Sequence, residues 1–556
     1  MSSGRLASSL NLISWNVASW TTTAGNIARQ HGSLAAWLDR HNVDILCLQE
    51  VKATRQKLLT NPDCALNPNH WDMFLSPCTA RSGLNGVATI VRKNRFRGSQ
   101  IEGSLPTVGV DPAPFGIPDL DSHGRCIITD HGAFTLINVY APYDGERGVQ
   151  LSLKLKFFTA LKDLLKAIQS SGRQVICVGD FNVASHIRDM HYEFRLVNVG
   201  EVLTNWEKSV ALCEAKIPFP FNSEVLQILR FLKSEWANLM HLIHTTRKIV
   251  EVSNGGNKGS KFAVKIGVTK SVQIGSRQIS QSACEVLANP NAVLTPEGCV
   301  YKPADVFSIG ELFEMIAKLF QKDFSEKAKM AFSDLFGLVR SPPAVLELFN
   351  QILSECSLTD SYLHANPAGR SLGSERFTCW DQYRNERYGN VGARIDFIFT
   401  DKNVTPAVRL VETEKSFEHP LAFSSDPLKA LAAATAQGKW KPVPFGGGGI
   451  NNGSSSVFSE TEKNFEFSFT NPPQTGIVYT PPLFSDHVAT SVVLDMAALP
   501  VEGINERSRD GLGSKWKAAM EQARVFQEEV LSVPPAKSLS LKDMFARVEE
   551  SKRRKI

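Results

Sequence analysis

Eight polar side chains stand where apolar runs stop: Asn16, Glu50, Tyr140, Asp180, Asn182, Asp396, Asp486 and His487. The clearest case is the stretch QVICVGDFN, residues 174–182. Its β-branched apolar residues have the pattern of a strand buried on both faces. The run stops at Gly179, and a carboxylate and a carboxamide follow, one residue apart. On an extended chain residues i and i+2 share a face, so Asp180 and Asn182 would point the same way. An unpaired buried charge is expensive, which favours a cleft over a core. The plainer alternative is an Asx turn that only caps the backbone, and a surface histidine beside an Asp is the plain reading of His487. Taken together, the carboxylates, amides, phenol and imidazole form an oxygen-rich set. Such a set suits Mg²⁺, or Mn²⁺ as the alternative, better than zinc, which wants more nitrogen or sulfur. A hard cation with a histidine and a spare carboxylate suits phosphate-ester hydrolysis, the cation stabilising charge while a base orients water. No phosphate-binding Gly-rich loop and no GxSxG elbow is present, which argues against nucleotide-driven work and serine hydrolysis.

The elements that must position these groups are read from the same pattern. Leu10–Asn16 is a first strand, Val43–Leu48 a second that delivers Gln49 and Glu50, and 86–91 a third. Ser33 can cap a helix over Leu34–His41. Arg125–Thr129 and Phe134–Tyr140 flank Asp130-His131-Gly132 as a hairpin. Phe157, Leu161, Leu164, Leu165 and Ile168 recur at helical spacing, with Lys154, Lys162 and Lys166 assigned to the surface of that helix. Strands resume at Arg394–Phe399 and Val488–Val493. Strands with polar ends, helices between them and hairpins predict an α/β (α+β) fold: a two-sheet sandwich with the chemistry on one rim. There is no internal repeat. The expected organisation is a core in pieces: 1–205, then 341–414 and 483–500. A helical insertion covers 206–340, a flexible loop insertion 415–482, and a tail 501–556.

Composition constrains the rest only loosely. The 556 residues are 43% hydrophobic and 21% charged, ordinary for a globular chain, with a formal charge of +5. That charge permits a nucleic-acid partner without requiring one. No run approaches the roughly 18 apolar residues of a membrane span, so no membrane partner is expected, and the first nine residues lack a secretory apolar core. The ten cysteines are scattered, with no CxxC pair, as reduced core thiols are.

Seven ordered segments, SWNVASW, DILCLQEVK, GVATIVRK, NVYAP, VGDFNV, NVGARIDFIF and SDHVATSVVL, resemble the endonuclease/exonuclease/phosphatase superfamily. Within it they are most similar to the exonuclease III class of apurinic/apyrimidinic endonucleases. The resemblance implies a four-layer αββα sandwich of two mixed sheets and a Mg²⁺-dependent phosphodiesterase acting on damaged double-stranded DNA in base excision repair. It also implies a nuclear location, with a mitochondrial one as the alternative. It implies metal ligation by Asn16, Glu50, Asp180, Asn182, Asp486 and His487, with Glu50 foremost. Asp180 resembles the group that orients or deprotonates the attacking water. Asn182 resembles the one that stabilises the transition-state phosphate, Tyr140 the phenol that contacts it, and His487 an imidazole paired with buried Asp396. Arg125, Trp380, Arg394 and Ile395 fall on substrate-binding positions.

Departures from the pattern sharpen the expectation. Ala18 stands where many members carry an acid or amide, and His123-Gly124-Arg125 keeps the arginine of its element without the acid. Around the sugar pocket, Cys379 and Ala393 replace two aromatic walls. T-C-W and G-small-R-I-D resemble the AP endonuclease 2 branch, whose members act mainly as 3′–5′ exonucleases and 3′-phosphodiesterases. The same bias is expected here, since fewer walls grip a flipped-out sugar less selectively. Leu541, Met544 and Phe545 are similar to a sliding-clamp-binding box, without its usual Gln, and the basic run 551–556 reads as a nuclear signal, a DNA-clinging tail or a solvated end. The rivals are another phosphodiesterase of the superfamily, an RNA deadenylase being the nearest, and a catalytically decayed scaffold.

Overall fold

The structure is a computed structural model. It describes residues 9–93, 107–144, 150–253, 271–274, 277–280, 306–367, 369–370, 376–381, 390–410, 475–478, 480, 484–499, 516, 519–520 and 522–525, with side chains omitted for 241–253 and 271–280. The residues 541–545, 551–556 and nearly all of 415–482 therefore lie outside the described residues.

Two six-stranded sheets carry the molecule. The first has the order β17-β18-β1-β2-β4-β3 and the second β13-β16-β8-β7-β6-β5. The strands are β1 Ser9–Asn16, β2 Ile45–Gln49, β3 Trp71–Ser76, β4 Val87–Arg92, β5 Gly109–Asp111, β6 Cys126–Asp130, β7 Thr135–Tyr140 and β8 Val175–Asp180. Short strands follow: β9 Leu196–Asn198, β10 Ser271–Ile274, β11 Arg277–Ser280, β12 Val306–Ser308, β13 Leu358–Asp360, β14 Cys379–Trp380 and β15 Gly392–Ala393. The last three are β16 Asp396–Asp401, β17 Gly476–Val478 and β18 Ala489–Asp495. Each large sheet is mixed, with one parallel pair at its centre, β1 beside β2 and β7 beside β8. Every other neighbour in the two sheets pairs antiparallel.

Alternation of apolar side chains on two-sided strands demands cover on both faces, and three apolar clusters supply it. Between the sheets lie Leu12, Ile45, Cys47, Ile127, Leu136, Ile176, Val178 and Val492. The outer face of the first sheet packs on helices Trp20–His31 and Leu34–Arg40 through Trp15, Trp20, Trp37 and Leu46. The second sheet packs on helices Leu151–Ser170 and Pro343–Glu355 through Phe158, Leu161, Phe181, Phe349 and Phe399. The expected four layers are present. Ser33 caps its helix as the sequence suggests, accepting from the Ala36 N–H.

Three local differences have physical reasons. Lys154 is not on the surface of its helix: its side chain is fully buried because its ammonium finds two oxygen partners, described below. The apolar packing of the insertion begins before residue 206, since Tyr192, Val197 and Val199 join Leu229, Ile309, Phe313 and Phe332 in one cluster. There β9 pairs with β12 from the far side of the insertion. Within the expected tail 501–556, Trp516 is buried, donates to Asp111 at 3.2 Å and lies under the Arg173 guanidinium.

Candidate active site

The two parallel pairs end on the same rim, and hydrogen bonds between the sheets fix them there. The Asn16 amide, at the end of β1, donates to Asp180 Oδ2 (2.9 Å) at the end of β8 and to Glu50 Oε1 (3.1 Å) just past β2. Tyr140, ending β7, donates its hydroxyl to the same Glu50 oxygen at 2.7 Å. One layer down, the Gln49 amide donates to Asn138 Oδ1 (2.8 Å) and Ser14 Oγ (3.1 Å), and the Asn138 amide donates to the Ala88 and Leu48 carbonyls. These groups are fully enclosed and their donors are satisfied, the condition for a buried polar layer to specify one register rather than loosen the core.

The backbone at the rim is unusual. Ala18, Glu50, Lys52 and Asn182 all adopt left-handed φ between 49° and 53°. For non-glycine residues each such conformation costs on the order of 1 kcal/mol or more. Their reward is turning carboxylate and amide off the strand ends toward one point. Gly179 serves the same end, because a Cβ there would sit 1.9 Å from the Val139 carbonyl oxygen of β7. The Asx-turn reading of Asp180 is also correct: its Oδ1 accepts the Asn182 N–H at 2.8 Å. The turn delivers Asn182 to the site, and so does Lys154, whose ammonium donates to the Asn182 carbonyl (2.7 Å) and to Asp144 (3.1 Å).

On the other flank Asp396 opens β16 directly opposite Asp180. Its Oδ2 lies 2.8 Å from His487 Nδ1, while His487 Nε2 faces Asp180 Oδ2 at 4.0 Å. Asp396 is tied down by the Thr378 hydroxyl, which accepts its N–H. Ser485 donates to the Asn16 carbonyl at 2.6 Å and accepts the His487 N–H at 3.1 Å, joining the histidine loop to β1.

The charges set one another. Burial alone would push His487 down, but the Asp396 carboxylate outweighs it and holds the imidazole well above its ordinary range, protonated at neutral pH. Burial, reinforced by Asp396, pushes the Asp180 carboxyl up to about 7. Glu50 goes the other way: burial would raise it, yet Lys52, Asn16 and Tyr140 bring it below the usual carboxylate range. Burial and the neighbouring Glu50 push the Tyr140 phenol up, so it stays a donor. Two neighbouring carboxylates held apart in this way are suited to different tasks, one to ligation and one to proton transfer.

Metal-ligating groups converge here as well. Asp180, Asp396 and His487 bring one ligand atom each within 4.8 Å of one another. Across the rim Glu50 and Asp180 flank the Asn16 amide, and Lys52 pairs with Glu50 at 2.5 Å. Carboxylate and carboxamide oxygens are what a hard divalent cation takes, so the donor set fits one.

Residues 13–196 match the Endonuclease/Exonuclease/phosphatase family. The chain carries a domain of that family. DNA-(apurinic or apyrimidinic site) endonuclease 2 of Mus musculus is 31% identical over 202 residues, covering 32% of this chain and 39% of the relative. The enzyme of that name from Homo sapiens is 32% identical over 203 residues, again covering 32% and 39%. The chain thus spans well under half the length of these curated relatives. The Xenopus laevis APE2 catalytic domain superposes over 72% of this chain and 84% of its own, at 17% identity and a TM-score of 0.36. Asn16, Glu50, Tyr140, Asp180 and Asn182 lie inside the matched segment, whereas Asp396, Asp486 and His487 come to the same rim from β16 and the approach to β18.

The four residues expected to bind substrate are each held by partners within the protein. Arg394 is 3% exposed, paired with Asp360 (2.6 Å) and Asp189 (2.9 Å), and lies over the Phe397 and Tyr362 rings. Two carboxylates hold it inside, where it ties the segment around Asp189 to β13. Arg125 is likewise buried; its guanidinium stacks 4.7 Å from the Tyr140 ring and donates to the Tyr140 carbonyl, so it braces the phenol from behind. Trp380 is 7% exposed and packs with Phe377, Ile477 and Val488. Ile395 is half-buried, its carbonyl accepting the Phe181 N–H and its N–H donating to Thr378. Asp486 is half-buried and groups with Cys379 and His487. Sequence reasoning missed Lys52, Lys154, Thr378 and Ser485 as parts of the site; Lys52, Thr378 and Ser485 stand near residues it did choose, whereas no sequence signal marks Lys154.

Proposed function

We propose that this domain is a Mg²⁺-dependent phosphodiesterase of DNA repair, hydrolysing damaged double-stranded DNA at abasic sites and 3′ ends, with 3′-end trimming the stronger activity. The observation that carries the reading is the convergence on one rim of Asn16, Glu50, Tyr140 and Asp180 with the His487–Asp396 pair. Glu50, Asn16 and Asp180 would hold the cation, which when bound supplies stabilisation of charge on the phosphate's non-bridging and leaving oxygens. Asp180, its proton affinity raised by burial and Asp396, accepts a proton from water. Asn182, held by Lys154 and the Asx turn, offers its amide to the phosphate. The Tyr140 hydroxyl and the His487 imidazolium donate to phosphate oxygens, Asp396 fixing the ring by its Nδ1. The relatives' name supports abasic DNA as a substrate class. Cys379 pairs with Ala393 across β14 and β15, two small side chains where the resemblance puts aromatic walls, which supports weaker grip on an extruded sugar.

The test is one Mg²⁺-dependent assay on a duplex panel carrying an abasic site, a 3′-phosphate or a recessed 3′ end, with a ribo-oligonucleotide arm. Trimming of 3′ ends should exceed abasic incision. Incision exceeding trimming by orders of magnitude defeats the bias, and preference for the ribo-oligonucleotide defeats the DNA reading.

A further inference from the structure

Beside the oxygen-rich rim lies a grouping of different chemical character. Cys379 on β14 makes a backbone bridge to His487. The Trp380 N–H donates to the Asp486 carbonyl (3.2 Å), and the Val488 N–H donates to the Thr378 carbonyl (2.9 Å). Two segments remote in sequence are thereby laced together, and the side chains of Cys379, Asp486 and His487 bring one ligand atom each to within 4.8 Å of one another. Cys379 and Asp486 are half-buried, so the group opens to solvent, whereas His487 is enclosed.

We propose that Cys379, Asp486 and His487 form a second cation site, for a thiophilic divalent ion of the zinc class, and that filling it stops the phosphodiesterase by taking His487. Three protein ligands of sulfur, nitrogen and oxygen with one side open are the pattern of a zinc site that keeps a free position. A thiolate selects zinc over magnesium, and because Asp486 and His487 are also among the ligands expected for the rim's cation, filling this site draws them away from it. The buried Asp396 on His487 Nδ1 (2.8 Å) is the partner that commonly orients a ligating imidazole. Binding is balanced by proton release: the Cys379 thiol gives up one proton and the His487 imidazolium another, so occupancy is favoured at higher pH. The two carboxylates and the thiolate then offset the ion's charge together with what remains at the rim. The regulatory half rests on the proposed function, because only a working His487 can be taken away.

The test uses the full-length protein, freed of metal and kept reduced, and titrated with Co²⁺ as the spectroscopic stand-in. A near-ultraviolet thiolate-to-cobalt band should appear, vanish in Cys379→Ser and Cys379→Ala, persist in Cys78→Ser, and be displaced by Zn²⁺. In Asp486→Asn the midpoint should rise at least about tenfold. Thermal melts accompany each variant, so that a lost band in a folded protein is read as a lost ligand. No band in the unaltered protein, or an equal band without Cys379, overturns the site. Zn²⁺ added at fixed Mg²⁺ should stop DNA hydrolysis and should be needed at about tenfold higher concentration to stop the residual activity of Cys379→Ser. A Cys379-dependent band with undiminished hydrolysis overturns the regulatory half. A Cys379-dependent band in a protein without any phosphodiesterase activity leaves the site standing and defeats the proposed function instead.

Discussion

The rim of the sandwich and the packed insertion obey opposite rules. At the rim Ala18, Glu50, Lys52 and Asn182 are all left-handed, carboxylates face one another, and one amide serves two acids. In the insertion, the apolar cluster from Tyr192 to Phe332 is built of helices with ordinary ends. Ser308 and Glu311 form a reciprocal capping box, and the helix Ile309–Phe320 stops at Gln321, the one left-handed non-glycine residue there among the described residues. Its buried contacts are rings at edge-to-face distances, such as Phe313 against Phe332 at 5.8 Å. A region selected for stability settles each local preference in the same direction. A region selected for chemistry keeps conflicts, and the surrounding sheets have to impose them.

That contrast predicts unequal responses to substitution. The largest belongs to Asp180. Asp180→Asn keeps the shape and the Asn182 turn but removes the proton acceptor, so turnover on duplex DNA should fall roughly 10²–10⁴-fold with the melting temperature held or raised, because a buried acid beside Asp396 is gone. A variant with near-normal turnover would make the rim a binding surface and not a reactive one. Next comes Lys154, which never touches substrate and positions Asn182. Burial pushes its ammonium down while Asp144 keeps it charged. Lys154→Met should lower turnover by about 10–100-fold, as lost supports of a ligand set do, with KM nearly unchanged and Lys154→Arg partly restoring it. An equal loss in both variants that simply tracks the melting temperature would demote Lys154 to packing.

A smaller effect should appear in the dependence of cation binding on pH. The Asp180 carboxyl, raised to about 7 in the metal-free protein, must lose its proton to serve as a ligand. Its ordinary value lies far lower, so the competition operates between that value and 7. Mg²⁺ affinity measured by calorimetry should therefore be flat above pH 7 and weaken by about tenfold per unit below it. Asp180→Asn should abolish the slope. Affinity that improves on acidification would reverse the assignment of which carboxylate is protonated.

The reach of the sequence follows the same division. Asn16, Glu50, Tyr140 and Asp180 were legible because a strand's apolar run ends visibly, and the Asp396–His487 pair because the segments carrying it kept recognisable wording. What stayed hidden depends on contacts across the chain. Lys154 fits an amphipathic pattern as a surface cation, and only the fold reveals that the Asn182 carbonyl waits above it. Arg394 reads as a free guanidinium until Asp189 and Asp360 are seen to close on it. The pairing of β9 with β12 joins two three-residue strands, too short for periodicity to register, so the start of the insertion's packing could not be placed from composition.

The insertion should respond least in function and plainly in stability, which is the sharpest form of the comparison. Phe332 is fully buried and meets Phe313 and Phe336 at 5.8 and 5.1 Å. Phe332→Ala should cost about 3–5 kcal/mol, seen as an earlier calorimetric step. Turnover per folded molecule on a short duplex should be unchanged below that step, because the rim's hydrogen bonds run through β1, β2, β7, β8 and β16 and use no side chain of the apolar cluster. One connection limits this independence. Arg195, under the cluster, pairs with Asp334 (2.6 Å) and closes the short 192–194 turn that follows His191, whose N–H donates to the Gly392 carbonyl on β15. If Phe332→Ala slowed hydrolysis well below its melting step, that strut would be the route, and Arg195→Met would have to slow it too. If neither does, the insertion is energetically separate from the chemistry, and the strain at the rim is borne by the two sheets alone.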